Sequence, residues 1–139
     1  MRKWVSAVAL VLGCVWLVAD VAPLSAHHSF SAEFDSKQPI TLKGTISKMM
    51  WVNPHAWLYV DVKGADGKVT TWKLEFGLPA ALYRRGWRQK DLPVGTEVTV
   101  EGFRAKDGTP TANARSVTLS GGRRLFAGTS GNGAPDDPQ

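Results

Sequence analysis

"ITLKGTISKMMWVNPHAWLYVDV", Ile40–Val62, is the stretch from which the fold is read. Leu42, Gly44, Ile46, Met50 and Val52 fall on one face of a two-residue repeat, the spacing of a strand with one buried face. Gly44 inside that run predicts a bend or a bulge, because a strand interior gains nothing from a residue without a side chain. Asn53-Pro54-His55 then interrupts the strand, as an Asn-Pro pair does. Alternation resumes in "AWLYVDV", with Ala56, Leu58, Val60 and Val62 facing inward. Trp57, Tyr59 and Asp61 face the other way, and counting by two puts Trp51 with them.

Downstream, "KGADGK" supplies an Asp-Gly turn into a third strand, "VTTWKLEF", and the three strands read as a meander. "GLPAALYRRGW", Gly77–Trp87, has no β-branched residue, a proline near its start and a glycine near its end. These features predict a helix of two to three turns, with Leu78 and Leu82 on one face. Pro93–Gly95 turn the chain into a strand with Val98, Val100 and Gly102 inward. "KDGTP" turns it again into "TANARSVTL", with Val117 and Leu119 inward, and "RRLFAG" adds a short edge strand. Trp72 and Trp87 are read as packing residues. The order β-β-β-α-β-β predicts a mainly β domain, a small OB-like Greek-key β-barrel over residues 40–128. A sandwich or an open roll competes, since hydrophobic pattern alone does not fix closure.

Upstream, Arg2 and Lys3 precede an apolar run from Trp4 to Ala19, followed by Pro23 and the small pair Ser25–Ala26. This is the plan of a secretory signal peptide, residues 1–26, and it predicts a periplasmic or secreted protein. The run is shorter than the roughly 20 residues of a membrane-spanning helix, so no stable membrane insertion is expected after cleavage. An uncleaved anchor is the competing reading. Cleavage after Ala26 places alanine at −1 and, less ideally, Leu24 at −3. Cys14 belongs to the leader and makes a poor lipoprotein site, because apolar residues continue beyond it. The mature chain then holds 15 basic against 11 acidic residues, a charge of +4, and no cysteine. It has no disulfide and relies on its core, although its compartment would permit one. So mild a charge gives no reason to expect a nucleic-acid partner. Residues 27–39 form an N-terminal segment whose Phe30 and Phe34 tuck onto the domain. The Gly-, Pro- and Asp-rich tail, 129–139, is expected to be disordered.

No catalytic constellation emerges. The mature chain lacks a cysteine nucleophile, its serines lie outside any Gly-x-Ser-x-Gly setting, and His55 has no acid partner evident in the sequence. "GADGK" and "KDGTP" are hairpin turns rather than phosphate loops, and "DVKGADGK" lacks the spacing and final glutamate of a calcium loop. Two sites for binding remain. Trp51, Asn53, His55, Trp57 and Tyr59 surround the first hairpin, a favoured binding surface of OB barrels. Aromatic rings there can stack on an unknown small molecule, a glycan or an envelope protein; packing under the helix or the N-terminal segment is the competing role. The second site is metallic. Cleavage after Ala26 makes His27 the N-terminal residue, offering its amine and its imidazole to one ion, with His28 or His55 as a further ligand. Such nitrogen donors suit copper(II), and Met49 or Met50 would favour copper(I). Two histidines near a chain end are otherwise simply solvated. Arg84, Arg85, Arg88 and Lys90 cluster where a helix C-terminus favours cations, with anion binding the alternative.

"AHHSFSAEFD", "ITLKGTI", "WVNPHAWLYVDV", "RRGW", "VGTEVTVEGFRAKDGTPTANARSVTL" and "GGRRLFAG" together resemble a family of short exported bacterial proteins, domain of unknown function 6152. The resemblance runs from Ala26 to Gly128. It implies export and one small β domain, and it implies no activity and no catalytic residue. His27 and His28 match the family's His-His motif, and His55 its Asn-Pro-His motif. The mass of the intact exported protein tests the leader reading: a chain beginning at His27 is expected, and any other start removes the terminal chelate.

Overall fold

A computed structural model of the chain describes residues 30–128. The leader 1–26, His27, His28 and the tail 129–139 lie outside the described residues. The chain is mainly β. A four-residue helix, α1 (Phe30–Glu33), leads into β1 (Phe34–Met50), β2 (Trp57–Lys63) and β3 (Val69–Glu75). Then follow α2 (Pro79–Arg84), a 3-10 turn (Gln89–Asp91), β4 (Glu97–Ala105), β5 (Thr111–Leu119) and β6 (Arg124–Phe126). The six strands make one sheet in the order β3-β2-β1-β4-β5-β6, with neighbours antiparallel. In addition β3 pairs with β5 in parallel, Lys73 to Thr111 and Glu75 to Asn113. The expected meander, the later pair and the short edge strand are all present.

The 17-residue β1 serves two partners. Residues from Pro39 to Thr45 pair with β4, and those from Thr45 to Met50 pair with β2, so Thr45 faces Glu97 on one side and Asp61 on the other. The strand begins at Phe34, earlier than the hydrophobic alternation that starts at Ile40. Gly44 lies where the neighbouring strand comes close: a Cβ there would meet the Asp61 carbonyl and the Val60 side chain. The bulge falls slightly later. Ile46 pairs with Val60 and Lys48 with Tyr59, leaving Ser47 as the extra residue.

That single extra residue inverts the alternation beyond it. Leu42 and Ile46 are buried as expected, but past the bulge it is Met49 and Trp51 that pack against the core. Val52, expected inward, is 41 % exposed. The inward placement of Met50 and Val52 and the outward placement of Trp51 are therefore corrected, and Ser47 is the reason.

The core gathers Ile46, Leu58, Val60, Leu74, Phe76, Leu82, Trp87, Val98, Val100 and Val117. Trp87 is fully buried; its ring lies 5.9 Å from that of Phe76, and its indole N–H donates to the Phe126 carbonyl at 2.8 Å. The helix is shorter than expected, six residues with Pro79 in its first turn. Leu78 is its N-cap and largely exposed, whereas Leu82 is buried, so the two do not share a buried face. Gly86, at φ +96°, ends the segment in a conformation that favours glycine.

Gly102 sits where β5 crosses closest to β4. A Cβ at this position would lie on the Asn113 carbonyl, which is backbone and cannot swing away. The Gly102→Ala substitution is expected to destabilise by about 1–3 kcal/mol, the usual cost of overpacking. Urea unfolding checks this; an unchanged midpoint would show that β4 and β5 separate easily.

Candidate functional site

Two-residue periodicity around the β2–β3–β5–β4 pairings creates a row of side chains on the outward face. Trp57 is the cross-strand partner of Glu75, Glu75 of Asn113, and Asn113 of Phe103. Cross-strand partners share a face, so the four side chains line up across four strands. The inward neighbours Leu58, Leu74, Ala112 and Ala114 belong to the core. His55 joins the row from just before β2. The first hairpin loop, with its cis Asn53–Pro54 bond, places it there. Its neighbour Ala56 bonds to β3 beyond the regular ladder, donating to the Gly77 carbonyl and accepting from the Phe76 N–H.

An outward side chain on a sheet is ordinarily wet, yet Glu75 is only 5 % exposed and Asn113 1 %. The N-terminal segment covers Phe103, the far end of this row. Phe30 stacks on Phe34 and packs edge-on against Phe103 at 5.6 Å. Lys106 pins α1, its N–H donating to the Glu33 carbonyl and its ammonium to the Ser31 carbonyl. Glu33 comes near enough to act electrostatically on Glu75. The expectation that Phe30 and Phe34 tuck onto the domain holds.

Under this cover His55 Nδ1 contacts Glu75 Oε1, and the Asn113 amide donates to Glu75 Oε2 at 3.4 Å. The pair is graded in depth: the Glu75 side chain is 7 % exposed and that of His55 26 %. Burial pushes the Glu75 carboxyl above its usual range, opposed by His55 and by the Asn113 hydrogen bond and assisted by the negative charge of Glu33. The acid partner that His55 lacks in the sequence is thus Glu75, 20 positions away. Sequence reading missed Glu75 because the register of the β2–β3 hairpin was not read, and Asn113 because the β3–β5 pairing is non-local. Their only signal was a polar residue inside a strand rather than at a turn.

Around His55 the five surface residues separate. Trp57 and Tyr59 are half-buried on the outward face, with the Lys73 ammonium 4.0 Å from the Trp57 ring centre and that of Lys48 5.4 Å from the Tyr59 ring centre. Asn53 is exposed at the loop tip. Trp51 has left this face for the core and stacks on Tyr83 at 5.3 Å. The arginine cluster closes the helix end: Arg88 donates to the Tyr83 and Trp87 carbonyls, and Arg85 lies over the Phe126 ring. Arg84 and Lys90 are exposed.

Chemically, a buried carboxyl group holding a partly exposed imidazole is a positioned nitrogen donor. Among the described residues no group of three or more His, Cys, Asp or Glu side chains gathers around one point. Also among them, no helix is long and apolar enough to cross a membrane.

A small β domain with a carboxylate-held histidine on its outer face is the class these features define. A model of the "Family of unknown function (DUF6152)" matches residues 15–114, and the chain belongs to this family. No curated protein and no solved structure matches the chain.

Because burial raises Glu75, the folded chain holds that proton more tightly than the unfolded one. The resulting stabilisation is fully present below the unfolded carboxylate range and is lost as pH rises through the raised folded value. Glu75→Gln, whose amide does not titrate, is expected to lack this loss. Its stability relative to wild type should therefore rise with pH across that window, read by urea unfolding at stepped pH. A difference independent of pH would place Glu75 at an ordinary carboxylate value.

Proposed function

We propose that the chain is an exported, periplasmic binding protein with no catalytic activity, built as an OB-like Greek-key barrel. Supporting the barrel, the pairings run β1-β2-β3-β5-β4 and return to β1, with β6 added beside β5. Supporting export, the leader has a basic start, an apolar run and a small-residue end. The binding centre is His55 with Trp57, Tyr59 and the exposed Asn53. The observation that carries it is the half-exposed row of imidazole, indole and phenol beside two lysines. With a lysine ammonium over each of the two rings, the row suits a ligand such as a sugar that carries a negative group. An acidic oligosaccharide is expected to change the intrinsic tryptophan fluorescence, and Trp57→Ala to weaken its binding at least ~10-fold, a loss of about 1.4 kcal/mol. Unaltered binding by Trp57→Ala would assign these rings to packing alone.

A second reading is copper binding by His27, His28 and His55. It is favoured by the position of α1, pinned so that Glu33 influences Glu75, the partner of His55. His28 precedes Phe30 by two residues, a span of at most ~7 Å in an extended chain. Copper(II) titration of protein beginning at His27 is expected to give one-to-one binding with a tetragonal spin spectrum. Protein with an added N-terminal methionine should bind much more weakly. Equal binding by the two would sink the terminal chelate.

A further inference from the structure

We infer that the first hairpin loop, α2 and the basic segment after it form a docking face for an anionic lipid surface, a peripheral contact separate from the Trp57–Tyr59 row. The Ser47 bulge helps to build this face. By inverting the phase of β1 it sends Trp51 away from the row and onto Tyr83, where the rings stack at 5.3 Å with their planes 17° apart. The far end of the loop is held as well, the Ala56 N–H donating to the Gly77 carbonyl just before α2. The loop therefore runs beside the helix. Val52 on the loop, and Leu78 and Tyr83 at the two ends of the helix, are all exposed.

Charge gathers at the same place. From Tyr83 to Asp91 the chain carries four cations, Arg84, Arg85, Arg88 and Lys90, and one carboxylate, Asp91. That carboxylate is already engaged, accepting from the Arg123 guanidinium and from the Arg88 backbone N–H. Arg85 is turned to the fold, lying over the Phe126 ring and donating to the Gly128 carbonyl. Arg84, Arg88 and Lys90 are exposed. Arg88 donates to the Tyr83 and Trp87 carbonyls, neutral acceptors that keep it beside the tyrosine without cancelling its charge. The helix C-terminus accounts for Arg84, which lies in the last turn. Arg88 and Lys90 lie beyond that turn.

Cations alone would suit any anion, and the apolar residues among them favour lipid. Indole and phenol rings settle at the headgroup level of a bilayer, each with an apolar body and a polar tip. Basic residues beside them are drawn to anionic headgroups. A nucleic acid or a chain of acidic residues would meet the arginines and leave Val52 and Leu78 in water.

The test uses the protein as cells produce it, its N-terminus fixed by intact mass, with vesicles of phosphatidylcholine alone or mixed with phosphatidylglycerol. Sedimentation with the mixed vesicles is expected, weakening as salt is added, and little with phosphatidylcholine alone. Arg84→Gln with Lys90→Gln should weaken partitioning ~10–30-fold, since each cation near such a surface contributes about fivefold. Lys90→Gln alone serves if the pair does not fold. Lipids brominated in their acyl chains should quench the tryptophan emission, and Trp51→Phe, which keeps a ring on Tyr83, should lose much of that quenching. No sedimentation with the mixed vesicles, equal sedimentation with both kinds, or undiminished partitioning by the double variant overturns the inference. So does binding to polyglutamate or duplex DNA in place of the mixed vesicles. Trp57→Ala is expected to partition like wild type; a loss there would put the lipid on the ligand row and overturn a separate face.

Discussion

Lys73–Glu75 of β3 lie beside Thr111–Asn113 of β5 in parallel register, and the outer site depends on that short contact. Without it the sheet is a row of antiparallel neighbours in which β3 and β5 stand apart, separated by β2, β1 and β4. With it, the covered outward row from Trp57 to Phe103 becomes continuous. The same three-residue contact places core side chains on one face, Leu74 beside Ala112, and the polar pair Glu75 and Asn113 on the other. Parallel strands need a long connection. Here that connection contains α2, the 3-10 turn and β4, so the pairing forms between segments distant in the chain.

A second layer follows on the outward face. Hydrophobic burial of Phe30 against Phe34 and Phe103, with the Lys106 bonds to α1, covers ground that a bare sheet would leave wet. Burial of Glu75 raises the cost of its negative charge, which His55 and Asn113 offset in part. The N-terminal segment is therefore tied electrostatically to the first hairpin loop.

Strand alternation reads correctly wherever the ladder is regular. Ala56, Leu58 and Val60 are buried as the pattern requires, and so are Val98, Val100 and Val117. It fails past Ser47, because one unpaired residue shifts the phase and nothing in "GTISKMM" marks that position. The consequence reaches the candidate surface. Trp51 changes sides and joins Tyr83, while Trp57 and Tyr59, on the next strand, keep their places. Leu78 departs from expectation for a related reason. Helical spacing applies only inside a helix, and Leu78 is the residue just before it.

By itself the sequence determined the β-rich character, the order of elements, most of the core and the prominence of His55. Those depend on local periodicity, on turn residues and on the rarity of histidine in the chain. Only the tertiary structure decided that His55 meets Glu75, that Asn113 stands behind them and that Phe30 helps to cover the row. The first follows from the register of the β2–β3 hairpin, and the others join segments far apart in the chain, through the parallel pairing and the packing of Phe30 on Phe103. Hydrophobic alternation tells a residue which face it occupies, and it does not tell which strand will lie beside it.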